Sequence, residues 1–108
     1  MPELPILDFE WDNGKAAENL RKHLVSFPYA ARAFLDPQRL DAPDSRRDYG
    51  EDRRITMGLI DGRLFVVVYT IRASKLRLIS ARKANHREQK DHHDEVHTRS
   101  GASAAPDA

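Results

Sequence analysis

The 108-residue sequence contains no cysteine. A disulfide framework is therefore excluded, and with it any thiolate metal site or cysteine nucleophile. Long apolar runs are also missing: none approaches the roughly 20 residues a helix needs to cross a bilayer. Glycines number only five. No glycine-rich phosphate loop, no GxSxG elbow and no carboxylate pair at catalytic spacing occurs. The N-terminus, Met1-Pro2-Glu3-Leu4-Pro5-Ile6-Leu7, is acidic and interrupted by proline, unlike a signal peptide. A cytoplasmic protein with no membrane contact is expected. A bulk excess of one charge is lacking too, since 18 basic and 17 acidic residues leave a formal charge of +1.

What is present is segregated. Residues 1–12 carry Glu3, Asp8, Glu10 and Asp12 and no side-chain cation. Residues 72–90 carry Arg72, Lys75, Arg77, Arg82, Lys83, Arg87 and Lys90 against Glu88 alone, a net +6. Such asymmetry suits an anionic partner. It equally suits a sheet edge whose cations discourage aggregation. A chain that is 40% hydrophobic and 32% charged is read as one domain, residues 1–97, with a small polar tail over 98–108 expected to be disordered.

Most of the β-branched residues lie between Arg53 and Lys83. Three strands are predicted there: Arg53–Ile60, Arg63–Arg72 and Lys75–Arg82. Asp61-Gly62 is the two-residue hairpin signal, because both central positions of the favoured turn need φ > 0. Ala73-Ser74 makes the second turn with weaker chemistry. Leu64 to Tyr69 is apolar without a break, so the middle strand should be covered on both faces.

Before this sheet, Leu7, Phe9 and Trp11 alternate as one face of a short strand. Asp12 fits as N-cap of a helix over Gly14–His23, with Ala16, Ala17, Leu20 and Leu24 at helical spacing against the sheet. Pro28 opens a second helix, Pro28–Leu35. Residues 38–52 have no period and read as a loop, with a short strand near Arg39–Ala42. After the sheet, Asn85 and Glu88 have capping-box spacing. The helix they start, Asn85–Val96, is polar all round, so it either frays or is stabilised by another chain. The order implies an α+β fold, with two helices on one antiparallel sheet.

Alternation puts Leu76, Leu78, Ser80 and Arg82 on one side of the last strand. Arg82 at the strand's end, with Lys83 and Arg87 near, can grip a phosphate bidentately, or can tie the sheet to Glu10, Asp12 or Glu51. Lys22 and His23 end the first helix, where the dipole favours cations. They either cap free carbonyls or move protons near neutral pH. Arg53 and Arg54 point to opposite faces, so only one can reach any single site. His93 and His97 have i, i+4 spacing, but they lack a HExxH glutamate and a third ligand, so exposed histidines account for them better than a metal.

Phe9-Glu10-Trp11-Asp12, Lys22-His23 followed by Val25-Ser26-Phe27, Asp48-Tyr49-Gly50-Glu51 and Ile79-Ser80-Ala81-Arg82-Lys83-Ala84 occur in this order. Together they resemble the BrnT family, toxins of bacterial type II toxin–antitoxin pairs. The resemblance covers about residues 7–95. Leu24 stands where that family usually has glycine. The resemblance implies a RelE-like fold and a cofactor-free, metal-independent ribonuclease that inhibits translation. It also implies a BrnA-like antitoxin, a toxin dimer within a hetero-tetramer, and operator DNA contacted only through the antitoxin. Beyond the motif match, cations converging at strand and helix ends suggest that Lys22 and His23 handle protons, and that Arg82 with Arg53 or Arg54 stabilises the phosphate. Glu51 acts as base or orienting carboxylate, and Lys83, Arg87 and Arg77 bind RNA. The competing expectation is a catalytically inactive partner of an autoregulating repressor complex. A DNA-binding domain in its own right lacks a recognition helix.

Overall fold

A computed structural model describes residues 8–46 and 50–99. The chain runs β1 (Phe9–Glu10), α1 (Asn13–His23), α2 (Phe27–Ala30), a 3₁₀ turn (Ala31–Leu35), β2 (Leu40–Pro43), β3 (Arg53–Ile60), β4 (Arg63–Arg72), β5 (Lys75–Lys83) and α3 (His86–Arg99). The strands form one sheet in the order β1-β5-β4-β3-β2. Pairing is antiparallel from β2 to β5, while β1 runs parallel to β5. The fold is α+β, with a mixed sheet. Leu7 and the tail from Ser100 lie outside the described residues, as does the Asp48-Tyr49 part of the loop motif.

β4 is the central strand, and Leu64 to Thr70 are all buried. Its two faces feed two separate cores. Phe65, Val67 and Tyr69 join Phe27, Ala30, Phe34, Leu78 and Ala81 under α1, α2 and the 3₁₀ turn. Leu64 and Val66 join Ala84, Ile55 and Met57 on the other face. Aromatic edges lock the first core, with the Phe34 and Tyr69 ring centroids 4.9 Å apart. β3 passes so close to the 3₁₀ turn that a Cβ on Gly58 would overlap the Ala33 carbonyl.

Local signals act as their chemistry requires. Asp12 Oδ2 accepts from Lys15 N at 2.9 Å, and Ser26 Oγ accepts from Tyr29 N at 3.3 Å. Asp61 and Gly62 take φ of 51° and 81° in the β3–β4 turn. Ala73 and Ser74 take 52° and 67°, so the second turn forms without glycine. Asn85 and Glu88 close a reciprocal capping box at 2.8 and 2.9 Å.

Three expectations change. First, α1 does not lay its leucines on the sheet. Ala16 packs inward and Asn19 is buried, whereas Ala17, Leu20 and Leu24 are exposed. Asn19 sets this rotation. Its Nδ2 donates to Val25 O at 3.0 Å and Ala81 O at 2.9 Å, and its Oδ1 accepts from Ala81 N at 3.0 Å. Second, the second helix changes character midway, giving one α-turn and then the 3₁₀ turn. Third, α3 is not polar all round in space. Glu88, Gln89, His92 and Val96 turn inward at helical spacing. Its first turn is tied to Arg82, and its last borders Pro37 and Gln38. Within the chain, the Arg82–Glu88 pair anchors its first turn, while His92 Nε2 is buried without a hydrogen-bond partner.

Two stability changes of opposite sign follow. Asn19→Ala leaves the Ala81 amide and two carbonyls unpaired in a buried site, and should cost about 2–3 kcal/mol in urea unfolding. Leu24 caps α1 at φ 60°, where a leucine is strained. Leu24→Gly should therefore gain about 1 kcal/mol in the same measurement.

Candidate active site

The last strand carries a feature that alternation alone does not anticipate. Val68 pairs with Ser80 but Tyr69 pairs with Leu78, so Ile79 bulges with no opposite residue. The bulge resets the faces of β5. Leu76, Leu78 and Ala81 face α1 and α2, while Ser80 and Arg82 cross to the outer face, opposite Val68 and Val66. The expected single row of Leu76, Leu78, Ser80 and Arg82 is thus split by one extra residue. β1 pairs only with Leu76 and Arg77, so β5 from Ile79 onward has no strand on that side.

Against this open edge lies the end of α1. Lys22, His23, Lys15, Glu18 and Asn19 line a shallow groove of about 330 Å³ with Ile79 and Ser80. Asn19 holds the helix there through Ala81. Glu18 accepts Arg21 and approaches Lys22 Nζ at 3.7 Å, and the Arg21 contact is the main cause that holds its carboxyl below the usual range.

Arg82 sits two residues past Ser80 and is clamped by α3. Its Nη1 and Nη2 donate to the two Glu88 oxygens, both at 2.8 Å. The same Glu88 carboxylate accepts the Asn85 amide, so the capping box positions the arginine. Hydrogen bonding to Arg82 holds the Glu88 carboxyl below its usual range, and the same pair raises the guanidinium further. Lys83 and Arg87 are exposed nearby, at the end of β5 and in the first turn of α3.

The remaining candidates lie apart from this edge. Arg53, Thr70 and Arg77 form one cross-strand row on the outer face. That row lies four residues along β3 from the Met57–Val66–Arg82 row, roughly 13 Å away. Arg53 Nε and Arg72 Nη2 both donate to Glu51 at 3.2 Å, and Arg77 approaches Glu10 at 3.3 Å. Bonding to Arg53 lowers the Glu51 pKa. Arg54 points to the helix side, the face Arg82 leaves. Its Nε donates to Asp41 at 2.6 Å, and Asp41 also accepts the Tyr69 hydroxyl at 2.5 Å. Arg82 thus shares its face with Arg53 and not with Arg54.

A family model described as the ribonuclease toxin BrnT of type II toxin–antitoxin systems matches residues 11–88. The chain belongs to the BrnT family. The match spans most of the domain, from Trp11 through every strand from β2 to β5 to Glu88. A search of curated proteins found no match. BrnT membership makes the chain a ribonuclease toxin by family and implies an antitoxin partner. Among the described residues no three His, Asp or Glu side chains gather as a metal site, and no helix is long and apolar enough to span a membrane.

Sequence reasoning overlooked three residues of this region. Ser80 needed the bulge to be seen. Asn19 reads as a surface helix residue until its contacts are known. Glu88 was visible as a cap, and its six-residue spacing from Arg82 was the signal for its second role.

The Asp41 cluster gives a titration test. Burial first, then the bond to Asp41, pushes the Tyr69 phenol up from 10.0 to about 12. A pKa raised on folding stabilises the protein below the unfolded value and loses that effect as pH climbs from 10 toward 12. Phenolate absorbance should show Tyr69 ionising near pH 12. Tyr69→Phe should remove that step and flatten the fall of stability over the same window.

Proposed function

We propose that this BrnT protein cleaves RNA without a metal at the open edge of β5 and thereby inhibits translation. The observation that carries this reading is the placement of Lys22 and His23 across a groove from Ser80, two residues from Arg82. Metal-free cleavage needs a base for the 2′-hydroxyl, cations for the phosphorane and a proton for the leaving 5′-oxygen. Neutral His23 takes the 2′-hydroxyl proton, and the oxygen attacks the adjacent phosphorus. Arg82 and Lys83 neutralise the added charge. Protonated Lys22 supplies the proton to the departing 5′-oxygen, leaving a 2′,3′-cyclic phosphate. Arg87, Arg77 and Arg53 steer the strand along the outer face. Glu51 orients Arg53 and Arg72, and Arg54 serves the sheet through Asp41.

The antitoxin in this reading is BrnA-like. It neutralises a toxin dimer within a hetero-tetramer and alone contacts operator DNA, in the cytoplasm. A second reading has its own observation. Glu88 already fills the guanidinium fork of Arg82, as a purely structural tie would. In that case the chain serves as an inactive component of the repressor complex.

Growth and RNA cleavage after expression without antitoxin separate the two. The catalytic reading expects arrest with cleaved RNA. It also expects Arg82→Ala, and the Lys22→Ala, His23→Ala pair, to lower cleavage by about 100-fold or more while the protein stays folded. Full toxicity in both variants, or no cleavage by the wild type, refutes it.

A further inference from the structure

The outward face of α1 is unexplained by the fold. Ala17 and Leu20 are exposed on α1 at i, i+3, and Leu24, the residue that caps the helix, is exposed directly beyond its end. None of them packs on the sheet, since Asn19 and Ala16 take that place. Leu20 is 48% exposed and Leu24 83% exposed. Leu24 is the more telling. It occupies the left-handed region at φ 60°, where glycine is the unstrained choice, and its side chain contributes nothing to either core. A strained, exposed leucine is costly to the monomer and useful only to something outside it.

We infer that the antitoxin docks on this face of α1, through a segment that combines apolar side chains with carboxylates. The inference rests on the antitoxin partner implied by BrnT membership, and not on where RNA is cleaved. Charge selects this occupant. Leu24 directly follows Arg21, Lys22 and His23, the basic last turn of the helix. The Arg21 and Lys22 side chains are 70% and 60% exposed, with one acidic residue, Glu18, between them. An acidic partner finds opposite charge around the leucines. A second copy of this chain, meeting the same patch across a two-fold axis, brings its own basic turn against this one. RNA gains nothing from aliphatic side chains, and no Phe, Tyr or Trp lies on α1 for a base to stack on. Bound there, the antitoxin covers the helix whose last residues, Lys22 and His23, border the β5 groove.

The test titrates the purified antitoxin encoded with this toxin against full-length variants by calorimetry. Leu24→Gly suits the φ of its position, so its thermal midpoint should equal or exceed that of the wild type. Its antitoxin affinity should nonetheless fall about tenfold, and Leu20→Gln with Leu24→Gly about a hundredfold. Arg21→Glu should weaken binding and reduce its salt dependence. Leu35→Gln is the control, at a leucine 69% exposed on another face, and should bind as the wild type does. Wild-type affinity in the double variant, or a loss with Leu35→Gln alone, overturns the inference. So does self-association of the free toxin that vanishes in the double variant while antitoxin binding holds. Toxicity of the same variants without antitoxin is read separately. An inactive wild type sinks the ribonuclease reading and leaves the interface result standing.

Discussion

The clamp of Asn19 on Ala81 is the contact on which the rest of the arrangement depends. A buried amide with both ends hydrogen-bonded is worth keeping, because removing it strands three backbone groups. It does the work of a missing neighbour strand, pairing the N–H and C=O of Ala81 on the side of β5 that β1 does not reach. It also joins α1 to its own exit turn through Val25. Helix rotation, strand edge and turn are therefore set together by one side chain. Lys22 and His23 face the β5 groove, and Leu20 faces away from the core, for the same reason.

The bulge at Ile79 is the second constraint, and it complements the first. A regular β5 would send Ser80 and Arg82 toward the helices and turn Ala81 away from the core it joins. One unpaired residue lets Leu78 and Ala81 both reach that core and sends Arg82 to the outer face. There it meets α3. The strand thus keeps an apolar side under the helices and carries Arg77, Ser80 and Arg82 on the other.

Much of the fold was legible from residue chemistry alone. The three long strands, the Asp61-Gly62 turn and the caps at Asp12 and Asn85 rest on local rules that tertiary packing did not overturn. The helical spacing of Ala16, Ala17, Leu20 and Leu24 misled, since periodicity counts apolar residues and cannot foresee that an asparagine has three partners waiting. The polar sequence of α3 misled for a related reason. Glu88 and His92 are inward residues, Glu88 through its pair with Arg82, and composition does not reveal which polar residues turn inward. On the candidate site, sequence alone put forward the cations. It could not group them, because face and register are set by a bulge that carries no sequence mark. Arg53 and Arg54 were rightly separated by alternation, and only the strand register puts Arg53 on the face of Arg82.

The Arg82–Glu88 pair bears on both possible roles of the chain. A phosphate and a carboxylate present the same oxygen geometry to a guanidinium. An RNA phosphate that binds Arg82 must compete with Glu88 or share its outer donors. Glu88 is also half of the capping box, so releasing Arg82 loosens the first turn of α3 at the same time. Any phosphate taken up by Arg82 would therefore act on the docking of α3 through one carboxylate. In a toxin, that link makes the helix responsive to substrate. In an inactive component it would only fasten the helix, and the exposed Lys83 and Arg87 beside it would have no anion to meet. The clustering of those cations around a replaceable carboxylate favours the first.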